Sequence, residues 1–190
     1  MVKLTFGGCD RNTRDEAGQT GLLLALRQGS IKVTNFLLQQ NAVDVEARNR
    51  AGESPLMMAA LKGHLPQARR LIERRAEVNK PGWTPLHYAA SNPDGVNADM
   101  VRLLLAHFSY IDAESPNKTT PLMMAARYGS DDVVALLLKE GGDPMLRHEQ
   151  GPYAIVFAGS AHRLGAAELR AAQVLEHGPA GQLLAGDTLS

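Results

Sequence analysis

Cysteine is almost absent, with Cys9 the only one in 190 residues. An intramolecular disulfide and a cysteine-rich zinc site are therefore excluded, which fits a reducing compartment. Charge of one sign is missing as well, because Lys plus Arg and Asp plus Glu both number 20 and the formal net charge is zero. No uniform field draws the chain to nucleic acid or to an anionic membrane, so neither is an expected partner, although local patches are compatible with the balance. Long apolar runs are lacking too. The opening MVKLTFGG has no apolar core of signal-peptide length, and nothing downstream approaches the roughly 18 uncharged apolar residues of a membrane helix. The expectation for the sequence as it stands is a soluble, cytoplasmic chain, with export open if sequence upstream carries a signal.

What the chain has in quantity is repetition. Its 44% hydrophobic and 21% charged residues can bury a core as one globular or repeat domain. PLMMAA stands at Pro55–Ala60 and returns 66 positions later at Pro121–Ala126, and between them Pro85 opens PLHYAA, which keeps the Pro, the Leu and both Ala residues. The two steps, 30 and 36, average 33. A constant period is restored by three residues lost before Pro85 and three gained after it. Asn79 to Gly82 is three steps where Asn12 to Gly18 and Asp112 to Lys118 are six, and SNPDGVNAD lengthens the loop after Ala90. Gln19–Leu26 (QTGLLLAL) and Pro152–Gly159 (PYAIVFAG) fall in phase on either side. The result is one domain of five units, at about 15–48, 49–79, 80–114, 115–147 and 148–178. Residues 1–14, with GGCDRN, read as the tail of an upstream unit whose helices are absent, and 179–190 as a C-terminal tail.

Each unit reads as two antiparallel helices. Ser54, Thr84 and Thr120 stand immediately before a proline, so the hydroxyl caps a free backbone N–H while the ring presets helical φ. After Gly29, Gly63 or Gly129 comes a second apolar-periodic run, such as Val33, Leu37 and Leu38 or Val133, Val134, Leu137 and Leu138. The segments AEVN and GGDP then lead through turn residues to the next unit.

A 33-residue period with a TPLHxAA signature resembles the ankyrin repeat family. GWTPLHYAA carries the first-helix motif nearly whole, AEVN at Ala76–Asn79 is similar to the family's GADVN, and RYGSDDVVALLLKEGGD follows its second-helix pattern from Arg127 to Asp143. The resemblance covers about Gly8 to Gly178. The wording of DVEARN, AGESPL and YIDAESPN is similar to members from proteobacteria. What the resemblance implies is an all-α solenoid of stacked helix-turn-helix units joined by β-turn or hairpin connections. It also implies a glycine closing the second helix, where this chain has Asn41, Arg75 and Phe108. Asn tolerates left-handed φ, whereas Arg and Phe must strain or take another turn. At the far end Tyr153-Ala154 replaces the Thr-Pro pair, and Val174-Leu175 reaches phase only with about four extra residues, as suits a terminal cap.

Members of the family are non-enzymatic binding modules that present a concave face to another protein. Carried over by phase, the contact positions are Gln19, Arg27 and Gln28; Arg50, Glu53 and Lys62; Trp83, Ser91 and Asn92; and Asn117, Thr119, Arg127 and Tyr128. Trp, Tyr and Arg most often anchor interfaces, which singles out Trp83, Arg127 and Tyr128. Two readings of Trp83 stand side by side: an anchor for a partner, or a plug in the gap left by the shortened connection.

Evidence of catalysis is absent from the pattern. The histidines, His64, His87, His107, His148, His162 and His177, show no HxH, HExxH or Cys-paired spacing, so no metal or other cofactor is expected. The resemblance makes His87 the turn-holding TPLH histidine, and Cys9 stands where the family has Ala. Asp131-Asp132 suits a helix start. Met57, Met58, Met123 and Met124 occupy the phase of Leu24, Tyr88 and Phe157 and read as packing between units, while RRLIERR at Arg69–Arg75 reads as a solvated helix side. Two alternatives to partner binding remain: a structural or regulatory spacer cut from a longer chain, and a small-ligand or enzyme site beside the SNPDGVNAD loop. Unit 1 also carries Leu22, Leu23, Leu24, Leu26, Val33, Phe36, Leu37 and Leu38, too many to bury on unit 2 alone, so self-association through its upstream face is expected.

Overall fold

The structure, a computed structural model, describes residues 10–93 and 97–149. The fifth unit beyond Glu149, Cys9, the cap at Tyr153-Ala154 and the middle of the SNPDGVNAD loop lie outside these residues.

Four antiparallel helix pairs follow one another: α1 (Gly21–Arg27) with α2 (Ile31–Leu38), α3 (Pro55–Leu61) with α4 (Leu65–Glu73), α5 (Pro85–Ala90) with α6 (Ala98–Ala106), and α7 (Pro121–Tyr128) with α8 (Asp131–Lys139). The odd-numbered helices pack in one row, α1 on α3, α3 on α5 and α5 on α7, and the even-numbered helices form a second row behind them. No strand is present among the described residues. This is an all-α solenoid. Its core is continuous from pair to pair, with Leu22, Leu56, Leu86 and Leu122 buried in the first helices and Leu71, Leu104 and Leu137 in the second. Met57, Met58 and Met123 are buried there too, whereas Met124 is only partly covered.

Every first helix starts on the same chemistry. The hydroxyls of Thr20, Ser54 and Thr120 accept from the backbone N–H three residues on, at 3.4, 3.3 and 3.3 Å. In the second and fourth pairs the sulfur of Met57 or Met123 accepts the N–H of the capping residue in return, at 3.3 and 3.5 Å. His87 does this better in the third. Its Nδ1 accepts the Thr84 N–H at 3.1 Å, and its Nε2 lies 2.8 Å from the Thr119 carbonyl of the next connection. The connections are tight turns. The N–H groups of Gly18, Gly52 and Lys118 bond back to Asp15, Asn49 and Ser115, whose side chains accept further N–H groups from the same tips.

A polar ladder runs between pairs. Asn12, Glu46, Asn79 and Asp112 each accept the backbone N–H of the following unit, from Asp44, Glu77, Tyr110 and Asp143, at 2.7–2.9 Å. Gly129 has its own reason to be glycine: a Cβ there would lie 2.2 Å from the Ala90 carbonyl oxygen of the preceding pair.

Several expectations change. Arg75 and Phe108 do adopt left-handed backbone, at φ 66° and 62°, where the fourth pair has Gly141 at 97°. Asn41 does not, because α2 ends early and the chain runs on through Val43 in a different turn. The carbonyls this leaves are taken by Arg74, which donates to Leu38, Asn41 and Val43 at 3.3, 3.2 and 2.7 Å. Arg74 is thus a clamp on the previous pair rather than part of a solvated helix side. In the first pair Leu22, Leu23, Leu26 and Leu38 are buried after all, since Val43 and Val45 join the same cluster and α3 packs on α1. Val33 stays 51% exposed.

Two measurements follow. Burial holds the His87 imidazole down, from 6.5 to about 4. The unfolded chain therefore binds the extra proton first, and protonating Nδ1 removes the acceptor that closes the cap. Stability should be level above pH 6.5 and fall by roughly 3 kcal/mol as pH drops from 6.5 toward 4. His87→Met, the residue used in the second and fourth pairs, should remove that portion of the slope in urea melts taken across pH. Separately, Phe108 combines left-handed φ with a side chain 85% exposed, so Phe108→Gly loses little packing and relieves strain. It should raise the urea midpoint, with unchanged slope, by an amount worth about 0.5–1 kcal/mol.

Candidate binding face

The connection tips and the C-terminal ends of the first helices share one side of the molecule, and two hollows lie side by side on it. One, of about 210 Å3, is lined by Trp83, Asn117, Thr119, Met123, Met124, Arg127, Tyr128 and His148. The other, of about 230 Å3, is lined by Leu61, Trp83, His87, Tyr88, Ser91 and Met124. Trp83 and Met124 belong to both, so the hollows form one trough across the second, third and fourth pairs.

Trp83 is half-buried and meets His87 edge to face, with ring centroids 5.3 Å apart. It follows Gly82, whose φ of 83° turns the shortened connection straight into the Thr84 cap. The ring forms the wall between the hollows. Arg127 lies over Tyr128 at 5.2 Å, within the range of cation–π attraction, and Tyr128 is 47% exposed. Asn117 accepts from the hydroxyls of Ser115 and Thr119, which fixes its amide in the tip. Thr119 is 7% exposed, and its carbonyl is the one His87 meets, so it shapes the floor more than it offers a surface. The Ser91 hydroxyl donates to the Tyr88 carbonyl.

The remaining phase-derived positions lie along the same rows but outside the trough. Arg27 and Gln28 are exposed, and Arg27 donates to the Gln19 amide oxygen at 3.3 Å. Arg50 and Lys62 are exposed. Glu53 is held by Asn49 at 2.6 Å and by the Tyr88 hydroxyl at 3.4 Å. Burial, then the Glu53 charge, pushes the Tyr88 hydroxyl up to about 12, so it stays protonated and donates. Asn92 donates to the Leu61 carbonyl. Sequence reasoning missed Tyr88, Met124, Leu61 and His148 as lining residues. Tyr88 and Met124 share a phase with Leu24 and Met58 and looked like packing; only the height of the neighbouring tip decides which of these is covered.

Little here suits catalysis. Thr84 Oγ1 and His87 Nδ1 are 2.9 Å apart, the spacing of a nucleophile and its base, yet both residues are buried and the contact closes a helix cap. Among the described residues no group of three His, Cys, Asp or Glu side chains is placed to hold a metal ion. No described helix is long and apolar enough to cross a membrane.

Comparison with known proteins agrees with this architecture. The family description "Ankyrin repeats (3 copies)" matches residues 1–81 and 77–148. The mouse nuclear factor NF-kappa-B p105 subunit is 31% identical over 152 residues, 77% of this chain and 15% of its own length. Human neurogenic locus notch homolog protein 4 is 36% identical over 151 residues, 70% of this chain and 7% of its own. The mouse B-cell lymphoma 3 protein homolog is 30% identical over 156 residues, 78% of this chain and 34% of its own. The chain therefore spans a minor part of these vertebrate relatives, and the likeness to bacterial members rests on wording alone. Ankyrin repeats are generally protein–protein interaction modules. With the repeat period, the capped helix pairs and these matches in agreement, the chain belongs to the ankyrin repeat family.

Proposed function

We propose that this chain is a non-enzymatic module that binds a partner protein on the face shared by its connection tips and first helices. The observation that carries the reading is the trough built around Trp83 and Met124, with the exposed Tyr128 and Arg127 at its rim. Aromatic and Arg side chains give large contact area for little lost freedom and dominate interface energetics. Gln19, Arg27, Gln28, Arg50, Glu53, Lys62, Ser91, Asn92, Asn117 and Thr119 extend or support the same surface.

Affinity capture with the full-length protein identifies the partner, and titration of variants then tests the face. Tyr128→Ala should weaken binding by roughly 2 kcal/mol or more with helicity unchanged by circular dichroism, and Trp83→Ala likewise. A Trp83→Ala protein that melts earlier and binds as before assigns the ring to the scaffold and favours the spacer reading.

Self-association is a second proposal, supported by Ile31 and Val33, both exposed on α2. Sedimentation across a concentration series should show mass action between monomer and dimer, abolished by Val33→Glu. A monomer at every concentration refutes it.

A further inference from the structure

The formal charge of the chain is zero, yet its charge is not evenly spread over the proposed binding face. We infer that the partner segment seated on this face is an extended, acidic peptide with one apolar side chain for the hollow beside Trp83. The inference rests on the binding function proposed above and specifies its ligand.

Three cations mark the ends of the first helices: Arg27 closes α1, Lys62 caps α3 and Arg127 lies in the last turn of α7. Arg50 adds a fourth at the second tip. A helix C-terminus favours a cation by itself, and α4 and α8 also carry one in the last turn, Arg70 and Lys139, so what sets Arg27, Lys62 and Arg127 apart is the face they share. Ion pairs among the described residues, Arg48 with Glu46 and Glu77 and Arg102 with Asp99, do not involve Arg27 or Lys62. Arg27 instead meets the neutral Gln19 amide. The acid in the middle of this face, Glu53, has both oxygens engaged, by Asn49 and Tyr88. Glu16 and Glu149 lie at the two ends of the tip row, and the exposed Glu114 borders the cleft beside Lys80 and Gly82 rather than the hollow at Trp83. What an incoming ligand meets over the centre is positive charge around an apolar hollow.

Spacing favours a peptide over a nucleic acid. Packed helices stand roughly 8–10 Å apart, so the cations come once per pair and lapse at the third, where Ser91 and Asn92 follow the helix. A polyphosphate needs charge at every step. A peptide needs it only at particular side chains, and at about 3.3 Å per residue some nine extended residues reach from the first pair to the fourth. Acidic side chains would then meet Arg27 and Lys62 at one end and Arg127 at the other, with an apolar residue between them over Met124 and Trp83.

Trp83 is the only tryptophan, so its fluorescence reports on the hollow directly. The probe is a synthetic peptide of about nine residues, with glutamates at both ends, a central leucine and Gly-Ser spacers. Titration into the full chain at low ionic strength should give a saturable change in Trp83 emission that weakens as salt is added. Lys62→Glu and Arg27→Glu, both at exposed sites, should each lower affinity about tenfold, and a peptide with lysines in place of the glutamates should not bind. Equal binding of the lysine peptide, indifference to both charge reversals, or tighter binding of an oligothymidylate of similar length overturns the inference. The two proposals separate on the captured partner: one whose affinity falls on Trp83→Ala and is unmoved by Lys62→Glu leaves the binding function standing and removes the acidic ligand.

Discussion

Helices of six to nine residues cannot stand alone, and that constraint organises the rest of the molecule. So short a helix leaves most of its terminal N–H and C=O groups without partners inside itself. The N-terminal groups are met locally, by Thr20, Ser54, Thr84 and Thr120. The C-terminal carbonyls are met by the next unit: His64 lies 3.2 Å from the Leu26 oxygen, and Asn97 donates to Ala60 at 2.9 Å. In the third case the chain approaches Ala90 so closely that only Gly129 fits. Each unit therefore completes the one before it, which is why stability in such an array is a property of neighbours rather than of single repeats.

The irregular third unit is where this mutual completion is interrupted. Between the first and second tips the Arg50 N–H reaches the Ala17 carbonyl, and beyond the fourth tip the Glu149 N–H reaches Asn117. The shortened Asn79–Gly82 connection is too short to repeat that contact. Lys80 substitutes by donating to the Gly52 carbonyl at 2.7 Å, and an open cleft of about 380 Å3 remains beside Tyr110 and Glu114. The same shortening delivers Trp83 directly into the first-helix row. One deletion thus accounts both for a gap at the tips and for the aromatic wall of the trough.

Much of this was legible in the sequence because it depends on local chemistry at a fixed period. The Ser/Thr-Pro starts, the deletion before Pro85, and the left-handed burden on Arg75 and Phe108 all follow from residue type and phase. Arg74 was not legible, since its role arises from α2 ending early, and that depends on one additional residue between Asn41 and Val45. Lys118, left-handed at φ 58° where three other tips have glycine, stood in phase with Gly18 and Gly82, but its residue type gave no sign of the left-handed backbone. The site was half legible. Phase gave Trp83, Asn117, Arg127 and Tyr128, but the lining roles of Tyr88 and Met124 turn on how much of each the adjacent tip covers.

That coverage is set by the residue just before each cap, which is Gln19, Glu53, Trp83 and Thr119 in turn. Behind it sits the phase position occupied by Leu24, Met58, Tyr88 and Met124. Met58 is buried. At the third pair the Trp83 ring stands above the surface and turns the partly exposed Tyr88 and Met124 into the two sides of a groove. At the fourth, Thr119 is drawn down by its bonds to Asn117, Ser115 and His87, and the floor drops beside Met124. A hollow needs both a high wall and a low floor next to it. Among the described pairs, only the third and fourth place a large residue and a small, internally bonded one in succession at this position, and the trough lies there.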